Sequence, residues 1–320
     1  MLYSILKGAG KYLPQRIVTN AEISRTLDTS DEWIQRRTGI KQRHIAAQDE
    51  YTSDLAVRAA QQALQSAGIS SDAIDLVLVA TVSPDRTFPS TAALVQGKLS
   101  ISRGMAFDIN AVCSGFLYAV TIADALLKQR QATCALVIGA ETFSRLLNWS
   151  DRTTAPLFGD GAGAIVLKAE DHETPTGVLS SLLCADGRQW ELLYTDGGPS
   201  LNQKAGVTRM QGREIFRQAV EKMSVSIQDL VAQTKISLKD IAWLIPHQAN
   251  ARIIEAVAER LSFPIERVLI TVDRHANTSA ASIPLAVVDS LASGRLVPGQ
   301  YVLYTAIGAG LTWGAVLMRL

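Results

Sequence analysis

Cysteine is scarce in this chain, with three residues among 320. They are Cys113, Cys134 and Cys184. An odd number of widely spaced cysteines gives no disulfide framework, and a chain of this length can bury a large core without cross-links. We therefore expect no disulfide bonds.

Histidine is almost as rare, and its spacing excludes the common zinc sites. The four histidines are His44, His172, His247 and His275. They match neither the zinc-finger pattern nor the H-E-x-x-H pattern of zinc proteases. The sequence predicts no metal site.

The chain also lacks an excess of either charge and any long apolar run. Lys and Arg total 31 against 30 for Asp and Glu, without blocks of like charge, so a nucleic-acid-binding surface is not expected. No apolar stretch reaches the ~18 residues of a membrane span. The opening "MLYSILKGAGKYLP" is interrupted by Lys7, Gly8 and Gly10, and we interpret it as a strand rather than a signal peptide. These features predict a cytoplasmic protein without a membrane partner.

What the chain does contain is an internal repeat of predicted elements. The first half predicts a helix from Thr52 or Ser53 to Gly68, the strand "AIDLVLVAT", a helix near 90–99, the strand "GMAFDIN", the helix "GFLYAVTIADALL" and the strand "CALVIGA". The second predicts a helix near 215–230, the strand "DIAWLIP", a helix near 250–261, the strand "RVLITVD", the helix "ASIPLAVVDSL" and the strand "QYVLYTA". Matching order and spacing indicate duplication.

The repeat predicts the fold class. Strands that are continuous apolar runs, alternating with helices, are typical of mostly parallel sheets covered on both faces. We expect an α/β fold, a five-layer α-β-α-β-α sandwich built from two halves, residues 1–170 and 171–320, with mixed but mostly parallel sheets. A single doubly wound sheet is the alternative, and the duplication argues against it.

Cys113 is the first candidate for chemistry. It lies where a strand ends and a helix begins, the position at which α/β sheets collect their sites. A helix N-terminus favours a thiolate, so the pKa of this thiol can be lowered there. Equally, a small cysteine in "AVCSG" suits a core, and position alone does not decide between the two readings.

His247 and Asn277 occupy comparable loops in the second half. His247 follows the strand "WLIP", and the turn of Asn277 corresponds, to within a few residues, to that of Cys113. Taken singly, the histidine is interpreted more simply as a structural group, and the asparagine of "NTSAAS" suits a helix cap. Two related halves folded face to face would bring all three residues together, which favours a shared site.

Six segments carry a resemblance to a known family: "DTSDEWIQRRTGIKQRHIAA", "DINAVCSGFLYAV", "FGDGAGA", "PHQANARI", "DRHANTSAASIPLA" and "GLTWG". Nearly end to end, the chain resembles the β-ketoacyl-acyl carrier protein synthase III family, condensing enzymes of the thiolase fold. The resemblance implies a thiolase-like sandwich and a decarboxylative Claisen condensation. An acyl group from acyl-CoA and a malonyl group on acyl carrier protein would give 3-oxoacyl carrier protein, CoA and carbon dioxide.

The resemblance also implies roles for the three candidate residues. Cys113 would carry the acyl group as a thioester, and His247 with Asn277 would stabilise the enolate formed by loss of carbon dioxide. Backbone N–H groups of Cys113 and Ala309 would bind the acyl oxygen. No cofactor is implied, since the CoA thioester is itself a substrate.

Further matched positions suggest contacts with substrates and partners. The implied coenzyme A site consists of Trp33 and Arg152, which would sandwich the adenine, together with Arg37 and Asn250. An amphipathic helix would also explain the Trp33 and Arg37 pattern.

Other matches concern protein surfaces. Phe88 matches a residue that closes the acyl pocket of the partner in a homodimer. The implied docking surface for the acidic carrier protein is Arg217, Arg252 and Arg260, although charged helix faces are usually only solvated.

The chain departs from the family pattern at several positions. Ala276 and Ala309 replace glycines, and Ala309 would be strained if its φ angle were positive. Glu259 stands where the family often has a basic residue, and Thr153 and Arg213 also differ. The starter acyl group is therefore left open, and longer or branched groups or a specialised pathway are possible.

Three rival functions remain at this point. A papain-like hydrolase also uses Cys, His and Asn in that order, but its C-G-[SA]-C-[WY] motif is absent around Cys113. The segment "GDGAG" resembles a phosphate loop of a nucleotide-binding protein, yet it leads into a strand rather than a helix. The nearest rival is a thiolase-fold acyltransferase that transfers the acyl group to an alcohol or amine.

Overall fold

The structure, a computed structural model, describes all residues from 1 to 320. It has thirteen strands: β1 Leu2–Tyr12, β2 Arg16–Thr19, β3 Gln42–Ile45, β4 Leu76–Ala80, β5 Met105–Ile109, β6 Cys134–Glu141, β7 Gly161–Asp171, β8 Gly177–Ala185, β9 Leu193–Thr195, β10 Thr208–Met210, β11 Ile241–Pro246, β12 Tyr301–Gly308 and β13 Thr312–Arg319. Its nine α-helices are α1 Asn20–Ile23, α2 Asp31–Thr38, α3 Thr52–Ala67, α4 Thr91–Lys98, α5 Gly115–Lys128, α6 Gly212–Ala232, α7 Ala251–Arg260, α8 Val272–His275 and α9 Ser282–Ala292.

Two mixed sheets of the same topology form the framework. The first has the strand order β1-β7-β6-β4-β5, and the second has the order β11-β12-β13-β8. In each sheet one strand is antiparallel to all the others, β7 in the first and β13 in the second. Counted from the N-terminal strand of each sheet, β1-β7-β6-β4 corresponds to β8-β13-β12-β11, and β5 has no counterpart. The structure therefore confirms the duplicated α/β fold with mixed sheets, in which all strands but one run in the same direction.

The helices and sheets form five layers, and the apolar surface of each helix determines whether it lies between the sheets or outside them. Helices α5 and α9, "GFLYAVTIADALLK" and "SIPLAVVDSLA", are apolar on most sides and lie between the two sheets. Helices α3 and α4 cover the outer face of the first sheet, and α6 and α7 cover the second. Three apolar cores result: one surrounds the central helices and contacts both sheets, and one lies under the outer helices of each sheet. None of the helices is long and apolar enough to cross a membrane.

One predicted strand is wrong. The segment "RVLITVD" contributes a single bridge, between Val268 and Leu244, and then turns into α8. The fully buried Gln248 side chain explains the difference, because its amide oxygen accepts the backbone N–H groups of Thr271 and Val272. A side chain thus satisfies backbone donors that a strand ladder would otherwise use. The boundary between the halves at residue 170 stays a prediction.

A pair of glycines allows the second half to touch the first sheet directly. Gly139 of β6 and Gly163 of β7 are cross-strand partners. A Cβ atom at Gly139 would lie 2.2 Å from the carbonyl oxygen of Ala280, and one at Gly163 would lie 2.7 Å from Pro284 Cβ. Any side chain at either position would displace the start of α9.

We predict that Gly139→Ala destabilises the protein by about 3 kcal/mol or more, because the added methyl overlaps the backbone at Ala280. Urea denaturation measures the effect. Gly97→Ala is the matched control, since Gly97 lies in α4 with nothing within 4 Å of an added Cβ, and we expect it to stabilise by roughly 0.5–1 kcal/mol. Equal effects of the two substitutions would contradict the close approach.

Candidate active site

Cys113 lies in a single 3₁₀ turn, Val112–Ser114, that joins β5 to α5 and is named here the cysteine turn. Val112 has a φ angle of 49°, which a β-branched residue rarely adopts. Cys113 is 4 % exposed. The chain therefore holds the sulfur at a strained, nearly buried position before the first turn of a helix.

The second half contains the counterpart of this turn, Ser279–Ala281, named here the serine turn. Ser279 also has a φ angle of 49°, and α9 begins directly after Ala281. Aligning the two turns places Ala280 at the position of Cys113 and Asn277 at the position of Asn110. The predicted correspondence between the turns of Cys113 and Asn277 thus has an offset of three residues.

The two turns pack against each other, and the 309–312 turn that follows β12 packs against the cysteine turn. A Cβ atom at Gly308 would lie 2.8 Å from the Cys113 nitrogen. The Thr312 hydroxyl accepts a hydrogen bond from the Ser114 hydroxyl at 2.8 Å and donates one to the Ala111 carbonyl oxygen at 3.0 Å. The structure therefore brings the predicted oxyanion residues, Cys113 and Ala309, to adjoining turns.

The two alanines that replace family glycines behave differently. Ala309 has no positive φ angle, because the neighbouring Gly310 takes that conformation with a φ of 131°. The condition for strain at Ala309 is therefore not met. Ala276 has φ 58° and ψ −161°, a region that is essentially restricted to glycine. The strain lies instead directly before Asn277.

The His247 side chain is fixed by the segment that carries Asn277. Its Nδ1 atom lies 2.7 Å from the hydroxyl of Ser282, the first residue of α9. Nε2 has no protein partner yet keeps some accessible surface, although the residue is 2 % exposed. Burial lowers the pKa of His247 to about 3. The imidazole is therefore neutral at pH 7, with Nε2 facing open space.

Asn277 is held in a similar way. Its side-chain Oδ1 accepts the backbone N–H of Ser279 at 2.9 Å. Its backbone bonds to Leu157 and Gly159 on both sides of Phe158. The Nδ2 group has no protein partner and is not sealed from solvent. The local bonds of the serine turn thus leave one amide donor of Asn277 available.

The electrostatics of Cys113 differ from the expectation. Burial raises the pKa of the Cys113 thiol to about 12; the Ser279 hydroxyl and the backbone N–H of Cys113 oppose this shift, and the negative charge of Glu141 adds to it. The expected enlarged thiolate fraction is therefore wrong for the unliganded chain. Desolvation of the thiolate outweighs the favourable effect of the α5 N-terminus.

A cavity of about 790 Å³ opens beside Cys113. Its lining mixes polar and apolar residues, and the apolar ones include Phe143, Leu146 and Phe158. Ala309 also lines it, whereas His247 and Asn277 do not.

The four residues predicted to bind coenzyme A lie at the protein surface or just below it. Asn250 caps α7 and donates through Nδ2 to the Arg37 carbonyl oxygen at 3.1 Å. The Arg37 guanidinium lies 5.9 Å from the centre of the Trp33 ring. Arg152 forms an ion pair with Asp28 at 3.1 Å. The structure thus groups Trp33, Arg37 and Asn250, and Arg152 contacts the segment that leads into α2; their role in binding stays a prediction.

The three predicted docking arginines are in different environments. Arg217 pairs with Glu214 at 3.0 Å and lies 3.8 Å from Glu221, so its charge is largely balanced. Arg252 lies 5.8 Å from the centre of the Phe216 ring. Arg260 has no ion pair within 4 Å. Phe88, the predicted interface residue, is 82 % exposed.

Three polar residues around the site were missed at the sequence level. Ser279 and Ser282 were only part of a predicted cap, and Glu141 directly follows the predicted strand "CALVIGA" and was not considered. A carboxylate directly after a fully apolar strand was the one available signal, because such a strand end is buried in a two-sided sheet.

Family models and known proteins match this chain over most of its length. Residues 107–187 match the family model described as 3-oxoacyl-[acyl-carrier-protein (ACP)] synthase III, and residues 231–320 match the model of its C-terminal part. The beta-ketoacyl-[acyl-carrier-protein] synthase III of Paramagnetospirillum magneticum is 54 % identical over 316 residues, covering 98 % of both chains. The chain belongs to the 3-oxoacyl-[acyl-carrier-protein] synthase III family.

Other members of the synthase III family are similar over their whole length. The protein of Erythrobacter litoralis is 54 % identical, with 100 % of both chains covered. The crystal structure of the synthase III from Aquifex aeolicus superposes with a TM-score of 0.94 at 44 % identity, covering 99 % of this chain and 100 % of that one. The suspected family is therefore confirmed, and the papain-like and nucleotide-binding alternatives are excluded.

We predict that Ala276→Gly stabilises this synthase III chain by about 1 kcal/mol, because relief of the backbone strain exceeds the loss of one buried methyl group. Thermal unfolding measures the change. Ala258→Gly, in the buried face of α7, is the control and should destabilise by about 1 kcal/mol or more. A loss of stability in Ala276→Gly would contradict the strain.

Proposed function

We propose that the chain condenses an acyl-CoA starter with malonyl-acyl carrier protein, releasing CoA and carbon dioxide and forming 3-oxoacyl-acyl carrier protein. The names of its relatives support this activity. The structural observation that carries it is the contact between the cysteine turn and the serine turn. On one side of the serine turn, Asn277 presents a free amide donor, and on the other side Ser282 holds the His247 ring.

In the first step the Cys113 sulfur attacks the thioester carbonyl of acyl-CoA. The Cys113–acyl bond forms, the acyl–CoA bond breaks, and the thiol proton ends on the CoA sulfur. Because one thioester replaces another, the activation of the acyl group is retained. The backbone N–H groups of Cys113 and Ala309 would stabilise the oxyanion from the two adjoining turns.

In the second step the malonyl group loses carbon dioxide and leaves an enolate on the carrier thioester. His247 and Asn277 suit this charge. The Ser282 oxygen accepts the Gln248 N–H, so its own hydrogen is free for His247 Nδ1, and in that tautomer the imidazole presents Nε2–H as a donor, in addition to the free Asn277 amide. Because the pKa of the His247 imidazolium is about 3, the ring is neutral at pH 7, and its remaining N–H donates a hydrogen bond without transferring the proton. The carbanion then attacks the acyl carbonyl, and the Cys113 thiolate leaves and takes a proton from solvent.

The cavity beside Cys113 suits the starter group. The cavity is lined by Cys113 together with the apolar side chains Phe143, Leu146 and Phe158, which suits an acyl chain attached to the sulfur. Such a site needs no cofactor, because the thioester supplies the activated carbon. Trp33, Arg37, Arg152 and Asn250 are proposed to hold coenzyme A. The carrier protein would dock on Arg252 and Arg260, with a weaker contribution from Arg217 because of its ion pairs.

We further propose that the chain forms a homodimer through the edge of the first sheet. Strand β5 is the last strand of that sheet and has no partner on its outer side. Such an edge is a template for pairing with a second copy. Phe88, 82 % exposed, follows directly on the cavity wall formed by residues 82–87, so a second copy would cover it.

The activity is tested by intact mass after incubation with a panel of acyl-CoA thioesters. We expect an acyl adduct on the wild type, none on Cys113→Ala, and discharge with release of carbon dioxide when malonyl carrier is added. Asn277→Ala should keep the adduct but condense on the order of 10²–10³-fold more slowly, because one enolate donor is lost. Adduct discharge to an alcohol or amine without carbon dioxide would favour the acyltransferase instead.

The dimer is tested by light scattering during size-exclusion chromatography. We expect a mass of two chains for the wild type and of one chain for Phe88→Asp, because the substitution places a charge in an apolar contact. Ile265→Asp is the control, since Ile265 is an exposed apolar residue on the opposite half, and it should stay dimeric. A monomeric wild type would rule out the proposed interface.

A further inference from the structure

Gln248 has a fully buried side chain whose amide uses every hydrogen-bonding position it has. Its Nε2 group donates to the carbonyl oxygens of Pro246 at 2.7 Å and Leu269 at 3.0 Å. Its Oε1 atom accepts the backbone N–H groups of Thr271 at 2.7 Å and Val272 at 3.2 Å. Because carbonyl groups lie on one side and N–H groups on the other, only one orientation of the amide satisfies all four partners.

The Gln248 amide joins the segments that carry the two proposed enolate donors. On one side, Pro246 ends β11 and directly precedes His247. On the other side, α8 begins at Val272 and leads through a single residue into Asn277. The amide therefore bridges the strand end of one donor and the helix that leads to the other.

Helix α8 has no cap from its own sequence. Thr271, at the N-cap position, makes no side-chain capping bond, and its buried hydroxyl has no partner. The first N–H groups of a helix have no acceptor within the helix, so an outside group must supply one. Gln248 Oε1 is that acceptor. The start of α8 is thus positioned by the amide rather than by its own residues.

A displacement at the start of α8 would reach Asn277, because the helix has only four residues. Beyond the helix, Ala276 has the strained φ angle of 58°, and the Asn277 N–H bonds to the Leu157 carbonyl oxygen at 2.9 Å. Strained backbone persists only where the surrounding structure holds it in place. Gln248 holds the segment at the α8 end, and Leu157 holds it at the Asn277 end.

The main chain of Gln248 acts on the other donor. Its N–H bonds to the Ser282 hydroxyl oxygen at 3.3 Å, and that hydroxyl lies 2.7 Å from His247 Nδ1. The Ser282 hydrogen is thereby directed to Nδ1, which leaves Nε2 to carry the ring proton. One residue thus contacts the groups that hold both donors.

We propose that Gln248 is a positioning residue for the condensation step, whose buried amide fixes the spacing of the His247 and Asn277 donors. This inference rests on the roles proposed for those two residues. Gln248 bonds only to residues of the second half and does not line the cavity beside Cys113. Its loss should therefore slow the enolate step and spare the acylation of Cys113.

The test compares the two half-reactions in Gln248→Met, whose side chain has a similar length but no amide. Intact mass after rapid mixing gives the rate of Cys113 acylation by acyl-CoA, and then the rate of adduct discharge by malonyl carrier. We expect acylation within about twofold of the wild type and discharge on the order of 10²-fold slower, because small displacements of catalytic groups cost about that much. Equal slowing of both steps, or an unchanged discharge rate, would overturn the proposal.

Gln248→Glu is the conservative variant and covers the case in which Gln248→Met does not fold. Its carboxyl keeps an acceptor for Thr271 and Val272, and burial beside two carbonyl oxygens favours the protonated form, which donates to one of them. We expect acylation at the wild-type rate, with discharge slower than in the wild type but faster than in Gln248→Met. A fall in acylation as large as the fall in discharge would contradict a role confined to the condensation step.

Gln218→Met is the matched control. Gln218 is also a buried glutamine of the second half, 5 % exposed, but its Oε1 atom has no hydrogen-bond partner. Both half-reactions should keep their wild-type rates in this variant. Slowed discharge in the control would show that loss of any buried amide has this effect, and the specific role of Gln248 would be refuted.

Amide hydrogen exchange tests the bridge without any substrate. We expect the N–H groups of Thr271, Val272 and Asn277 to exchange faster in Gln248→Met than in the wild type, while that of Ser114 in the cysteine turn is unchanged. Unchanged exchange at all three positions would rule out the bridge. A wild type that forms no acyl adduct would instead refute the proposed function and leave the exchange measurement valid.

Discussion

The close approach of the 280–284 backbone to the glycine pair of the first sheet is the contact on which the site depends. Gly139 and Gly163 are cross-strand partners, and without side chains they let the start of α9 rest directly on the sheet. Gly308 makes the reciprocal contact, from the second sheet to the Cys113 nitrogen. Each half thus touches the turn of the other half through a glycine, so the backbones of the two turns pack directly against each other. This contact fixes the segments that carry Cys113, Asn277 and His247.

Burial at this contact decides the charge states of the site. The same desolvation that raises the pKa of Cys113 lowers that of His247 and raises that of Glu141. The unliganded site at neutral pH is therefore a neutral thiol, a neutral imidazole and a carboxyl near its midpoint. Such a site stabilises developing negative charge through oriented donors, with little reorganisation during the reaction. The strain at Val112, Ala276 and Ser279 is the structural cost of holding those donors in place.

Periodicity and element order were sufficient to predict the duplicated sandwich, because the central helices and strands are apolar over their whole length. They were also sufficient to place Cys113, His247 and Asn277 at loop ends. The segment "RVLITVD" could not be assigned correctly, since the buried Gln248 amide replaces a ladder that its apolar pattern would support. The raised pKa of Cys113 was likewise hidden, because it depends on burial and on Glu141, a partner distant in sequence. Ser279 and Ser282 carry no distinguishing pattern, and only the folded turn gives them their contacts.

The duplicated turn has a consequence for how the two halves diverged. Both copies keep the left-handed backbone that would display a nucleophile, yet the second copy has Ala280 at that place and is packed against the first sheet. Two identical halves would build two symmetric reaction centres, each competing for the same interior space. With Ala280 in the second turn, the duplicated scaffold carries a sulfur in one turn only, so its symmetric backbone frames a single, asymmetric candidate site.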